Sequence, residues 1–180
     1  MVLDRNDTGA FQWLMNGENY RANYNLPLLY PAADGQTTFP DDPNANIYDF
    51  GTNSSVILNV TNHTPNAHPM HLHGHNFFVL NMGMGGQVWD GSTINPENPM
   101  RRDTQIVAPG GFIVLQFEAN NPGVWPFHCH IAWHLSGGMG INLMTNASQV
   151  MIPDGMKDQT CAPWQAYTDA HVVDQIDAGS

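Results

Sequence analysis

Two short stretches hold seven of the nine histidines of this 180-residue chain and one of its two cysteines. One is Trp125-Pro126-Phe127-His128-Cys129-His130-Ile131-Ala132-Trp133-His134, and the other is His68-Pro69-Met70-His71-Leu72-His73-Gly74-His75. An extended strand alternates its side chains between two faces, so residues two apart share a face. His128 and His130 therefore point one way, and Cys129 between them points the other. His71 and His73 form a second pair of the same kind. Three consecutive residues can thus join two metal sites on opposite sides of one strand. Any fold for this chain has to bring the two stretches together.

The donor types select a metal. One thiolate, two imidazoles and a distant thioether suit a blue-copper centre, which transfers electrons. Cys129 offers the thiolate, His134 one imidazole and His68 the other. Met139, ten residues beyond the cysteine, is placed to be the weak axial ligand. The remaining set, His71, His73, His128 and His130, includes no thiolate. Neutral imidazoles suit copper, and a group of coppers could bind and reduce oxygen. The plainer alternatives are a zinc site or histidines satisfied one by one in a core. Zinc closes with four ligands, fewer than these stretches offer.

Composition narrows the partners. Sixteen acidic residues against five basic ones argue against nucleic acid or an anionic membrane surface. No apolar run reaches the roughly 18 residues of a membrane span. Met1-Val2-Leu3-Asp4-Arg5 is no signal peptide and reads as an internal stretch of a longer protein. Five Asn-X-Ser/Thr sequons, at Asn6, Asn53, Asn59, Asn62 and Asn146, point to a secreted glycoprotein. If Cys129 holds a metal, Cys161 has no disulfide partner in this chain. It is then either paired elsewhere or a buried free thiol.

A single all-β domain over residues 1–180 is expected. A leading strand fills residues 1 to 15, before a turn at Asn16-Gly17. Residues 18 to 54, rich in Pro, Asp, Asn and Gly, read as an irregular surface loop. Strands follow at Ser55 to Val60, Asn76 to Met82, up to Val107, Phe112 to Glu118, through the His-Cys-His, and Ile141 to Met144. Val56, Ile57 and Leu58 are too continuous for a half-exposed edge. Ile131 to Leu135 reads as a short helical turn that swings His134 back towards Cys129. A weak helical pattern marks Ala162 to Ala170, in a tail over about residues 160–180. Short strands with turn signals at regular spacing suggest an antiparallel Greek-key β-sandwich or barrel.

The two histidine stretches resemble the paired copper signatures in the last domain of multicopper oxidases. The flanking sequence, from Trp13-Leu14-Met15-Asn16-Gly17 to Cys161-Ala162-Pro163-Trp164, looks most like ascomycete fungal laccases. The resemblance implies a cupredoxin fold. It also implies that His68, Cys129 and His134 bind a type 1 copper, His71 a type 2 copper, and His73, His128 and His130 the paired type 3 coppers. Many fungal laccases carry leucine or phenylalanine where this chain has Met139. The implied reaction is one-electron oxidation of phenols or aromatic amines coupled to reduction of O2 to water. Cys129 would link the two sites through His128 and His130. His134 would be the electron entry point, with Trp133 as pocket wall or as packing under the loop. His75 reads as a hydrogen-bonding support, His63 and His171 as surface residues. Arg101, Arg102 and Asp103 match a laccase motif, or simply a local ion pair.

In the family a trinuclear cluster takes eight histidines, four from each of two domains. This chain offers four, which implies N-terminal cupredoxin domains of the same protein as partners. Cys161 matches a cysteine tied to the first of them, and Ile176 to Ser180 resembles a channel-plugging C-terminus. The rival reading is a free-standing blue-copper electron carrier; a third is an oligomer pooling four histidines from each copy. A carrier has no use for the histidines at 71, 73, 128 and 130.

Overall fold

The computed structural model describes residues 1–39 and 41–171, and the backbone of 176 and 177. Strands β1 (Val2–Arg5) and β2 (Phe11–Leu14) form an antiparallel hairpin. The expected leading strand is therefore two strands. Asn6 makes the turn between them, its side-chain oxygen accepting from the N–H groups of Thr8 (3.1 Å) and Ala10 (2.9 Å). Asn16 and Gly17 turn the chain again, with positive φ of 55° and 89°, the conformation that a tight two-residue turn demands.

The stretch 18–54 is not simply a surface loop. It contains β3 (Ala22–Asn23), the helical turn α1 (Leu29–Ala33) and β4 (Ile47–Asp49). Ala32 and Phe39 are buried with Met144 and Ala147 in a small second core. Its few apolar anchors are too widely spaced among Pro and Asn to show a period. Tertiary packing, not local pattern, orders them.

The central strands are β5 (Ser55–Thr61), β6 (His68–Leu72), β7 (Phe77–Gly83), β8 (Met100–Arg102), β9 (Thr104–Val107), β10 (Phe112–Glu118), β11 (Gly123–Cys129) and β12 (Gly140–Thr145). One sheet has the order β5-β10-β7-β8 and the other β4-β12-β11-β6-β9. Within these sheets every pair is antiparallel except β4 with β12. The chain passes from one sheet to the other between β4 and β5, β5 and β6, β6 and β7, β9 and β10, and β10 and β11. At Asp103 it crosses within a single residue, from β8 to β9. This is the cupredoxin-like sandwich expected from the sequence.

Between the sheets lies the main core: Val56, Val60, Met70, Leu72, Phe77, Ile113, Leu115, Phe117, Phe127 and Leu143 among others. Phe112 and Val114, on the opposite face of β10, are covered with Leu80 in a third cluster against which Trp89 packs. Strand β5 departs from expectation. It is an edge strand, with Val56 and Val60 buried while Ile57 is half exposed. The apolar run at Val56 to Leu58 does not mark a strand covered on both sides.

After β11, α2 (Ala132–Ser136) is the predicted helical turn. Helix α3 (Met156–Ala170) is longer than its sequence pattern suggests and contains Pro163. The last strand, β13 (Ile176–Asp177), pairs with β3. Residues 178–180 of the expected plug lie outside the described residues. No helix among the described residues is long and apolar enough to cross a membrane.

Candidate metal centre

Strand β11 is paired on both sides, to β12 and β6, which fixes its register. Phe127 lies opposite Leu72, His128 opposite His71 and Cys129 opposite Met70. Directly opposed residues in antiparallel strands share a face. Phe127 and Cys129 accordingly face the main core, while His128 and His71 face away from it.

On the core face, His68, Cys129 and His134 converge. The Cys129 sulfur lies 3.7 Å from His68 Nδ1 and 3.5 Å from His134 Nδ1, and the two nitrogens are 3.1 Å apart. Donors set trigonally about one metal, at roughly 2.0 Å for nitrogen and 2.3 Å for sulfur, stand about 3.5–3.7 Å from one another. The three residues can hold a metal ion, and one thiolate with two imidazoles is the donor set that suits copper. Met139 is wholly buried, and its backbone is tied to the same residues. Its N–H donates to the His134 carbonyl (2.9 Å) and its carbonyl accepts from the Cys129 N–H (3.1 Å). Helix α2 returns His134 to the cysteine within five residues, and Gly138, at φ 103°, lets the chain re-enter the sheet.

On the other face, the rings of His71, His73, His128 and His130 gather at centroid distances of 4.8 to 6.0 Å. His128 Nδ1 donates to the Cys129 carbonyl (2.9 Å), and His71 Nδ1 to the Asp103 carbonyl (2.9 Å). A carbonyl only accepts, so each ring carries its proton on Nδ1 and keeps the Nε2 lone pair free. His73 Nε2 and His128 Nε2 stand 2.9 Å apart. The core-side site thus gathers Nδ1 atoms, whereas His71, His73 and His128 of the outer cluster present Nε2. His128 is buried and His71 half buried, but His73 and His130 are exposed.

Burial sets the protonation states. It lowers the pKa of His68 to about 4, with the nearby His134 adding to the effect. Burial also lowers His128 and His134, and even the partial burial of the more exposed His73 lowers its pKa, with His128 adding to the effect. Neutral imidazole is the form that binds a metal. Burial pushes the Cys129 thiol up, so a cation is needed to displace its proton.

Sequence reasoning missed Trp13. Its buried ring packs against both core-side imidazoles, with centroids 5.0 Å from His68 and 4.4 Å from His134. No local signal exists for this contact, because β2 is more than fifty residues from either stretch. Trp133 is 83% exposed; it does not pack under its loop. His75 donates from Nδ1 to the His73 carbonyl (3.2 Å) and lies against Phe117 and Trp125. His63 and His171 are exposed, as expected. Arg102 donates to Gln105 (3.1 Å) and Arg101 lies over the Phe78 ring, so Asp103 is not their ion-pair partner. What Asp103 supplies is its carbonyl to His71.

The multicopper oxidase family model matches residues 9–149. Laccase-1 of Botryotinia fuckeliana is 34% identical over 179 residues, covering 96% of this chain and 32% of that protein. Laccase-1 of Melanocarpus albomyces is 30% identical over 198 residues, covering 99% and 32%. The crystal structure of the laccase from Botrytis aclada superposes with a TM-score of 0.84 at 27% identity, over 99% of this chain and 34% of the other. Fet3p, a multicopper oxidase that functions in iron import, gives a TM-score of 0.73 at 26% identity, over 97% and 36%. The chain thus spans about a third of the length of these relatives. Copper is the cofactor that this kinship implies. With its cupredoxin-like sandwich and a fold shared with fungal laccases, the chain belongs to the multicopper oxidase family.

Proposed function

We propose that this chain is the last cupredoxin domain of a secreted, laccase-type oxidase. His68, Cys129 and His134 would hold the type 1 copper, with the Met139 thioether as a weaker donor. His71 serves the type 2 copper, and His73, His128 and His130 the type 3 pair. Copper held there would supply the redox chemistry, one-electron oxidation of a phenol or aromatic amine at the first site and reduction of O2 to water at the second.

The chain's own residues set the arrangement. Cys129 faces the core-side site, and its covalent neighbours His128 and His130 belong to the outer cluster. The route between the sites is therefore made of bonds. His134 is half buried in the middle of α2, next to the exposed Trp133. It is the edge at which a substrate ring meets the centre, with Trp133 as one wall. The carbonyls of Cys129 and Asp103 orient two of the outer imidazoles, an outer-shell support that metal-binding histidines usually need.

One observation carries this reading: a buried thiol and two converging Nδ1 atoms lie on one face of β11, with four clustered imidazoles on the other. A free-standing electron carrier would need only the first set. The outer cluster is open, with His73 and His130 exposed, as expected if N-terminal domains supply four more histidines. Copper stoichiometry and oxygen uptake test this. The full-length protein should bind four coppers and consume O2, whereas the isolated chain should consume none. One copper in the full-length protein, with no oxygen uptake, would favour the carrier.

A further inference from the structure

Asn62-His63-Thr64 has the form of a glycosylation sequon, but Asn62 is wholly buried. Its side-chain amide donates to the carbonyls of Asn66 (2.7 Å) and Ala108 (2.9 Å). Its oxygen accepts from the Thr64 N–H (3.0 Å) and lies 2.7 Å from the Thr64 hydroxyl. Two donors and two lone pairs are all that an asparagine side chain has. No nitrogen is left for a glycan.

These contacts fix protons one after another. Two carbonyls face the Asn62 nitrogen, so the amide cannot be flipped without setting oxygen against oxygen. The oxygen of Asn62 is an acceptor only, so the short contact to Thr64 needs the hydroxyl hydrogen. Thr64 Oγ1 also lies 2.8 Å from His68 Nε2. Its one hydrogen goes to the Asn62 oxygen, with the Asn66 carbonyl (3.3 Å) as a longer second acceptor, so towards His68 the hydroxyl can only accept. His68 must then carry hydrogen on Nε2, which leaves the lone pair on Nδ1, the atom facing Cys129 and His134.

We propose that Asn62 and Thr64 form a buried hydrogen-bond relay that fixes the tautomer of His68, so that Nδ1 is ready to bind before a metal arrives. Thr64 is a positioning residue, and the relay begins at the backbone carbonyls of Asn66 and Ala108. The inference rests on the type 1 reading of His68, Cys129 and His134. It gives the sequon a use that excludes glycosylation.

Thr64→Val keeps the branched shape and removes the hydroxyl; Thr64→Ser keeps the hydroxyl. The variants are made in the full-length, copper-loaded protein. The readouts are the thiolate-to-copper absorption band under a graded copper chelator, and total copper. Outer-shell losses typically weaken metal binding about 10- to 100-fold. Thr64→Val should therefore lose the band at roughly ten-fold or more lower chelator concentration while keeping the other coppers, and Thr64→Ser should match the wild type. The relay is overturned if Thr64→Val holds the band like the wild type, if both variants lose it alike, or if Thr64→Val sheds all its copper together. A wild-type protein with no such band would instead sink the type 1 reading itself.

Discussion

Burial holds His68 at a pKa of about 4, against about 6.5 for an unperturbed histidine. The sign follows from proton counting. Between those two values the unfolded chain binds the proton and the folded chain does not. The metal-free protein is thus fully stabilised above about pH 6.5 and loses stability as pH falls towards 4, by up to about 3 kcal/mol from this group. His73, His128 and His134 shift the same way. Thermal melts of the metal-free protein should show a lower Tm at pH 4.5 than at pH 7, and an equal or higher Tm at pH 4.5 would contradict this. At Met139, a thioether can donate weakly to copper where a hydrocarbon cannot. Met139→Leu should leave the fold intact, at a cost below about 1.5 kcal/mol, and raise the type 1 reduction potential. A redox titration showing no change or a fall would count against Met139 as axial ligand.

Elements differ in how far sequence alone reveals them. Strand β11 and helix α2 were legible because candidate metal-binding side chains at fixed spacing and the Gly137-Gly138 break leave few alternatives. Strand β5 misled: Ile57 sits among apolar neighbours yet faces solvent on an edge. The segment 18–54 hid its buried anchors, Ala32 and Phe39, because their partners Met144 and Ala147 lie about a hundred residues away. Two predictions belong here. Gly74, between His73 and His75, has φ +69°, and a Cβ there would stand 2.4 Å from the Trp125 ring. Gly74→Ala should cost roughly 2–4 kcal/mol through backbone strain and overpacking, read as a lower midpoint in denaturant melts. An unchanged midpoint would show that the turn can relax. Among the sequons, Asn59 is exposed on β5, whereas Asn62 is buried and Asn146 donates its amide to the Ala119 carbonyl (2.6 Å). Mass spectrometry of protein expressed through a secretory route should find glycan at Asn59 and none at Asn62, and a glycan on Asn62 would refute its buried placement.

For the molecule as a whole, the candidate donors were readable from the chain, because few other arrangements set a cysteine between two histidines and repeat the histidine spacing elsewhere. The surroundings were not. Trp13 reaches the core-side site through a tertiary contact that no local spacing announces, and Thr64, only four residues before His68, meets its ring because of how the turn between them folds. The open face of the outer cluster likewise follows from the fold, since exposure of His73 and His130 depends on what neighbours β6 and β11. The account turns on Cys129 as a thiolate ligand on one face of a strand whose other face carries a second copper site. Absorption spectroscopy of the copper-loaded, full-length protein tests that most directly. An intense thiolate-to-copper charge-transfer band is expected, abolished by Cys129→Ser while three of the four coppers remain. A wild-type protein without that band, or a Cys129→Ser variant that keeps it, would contradict the account.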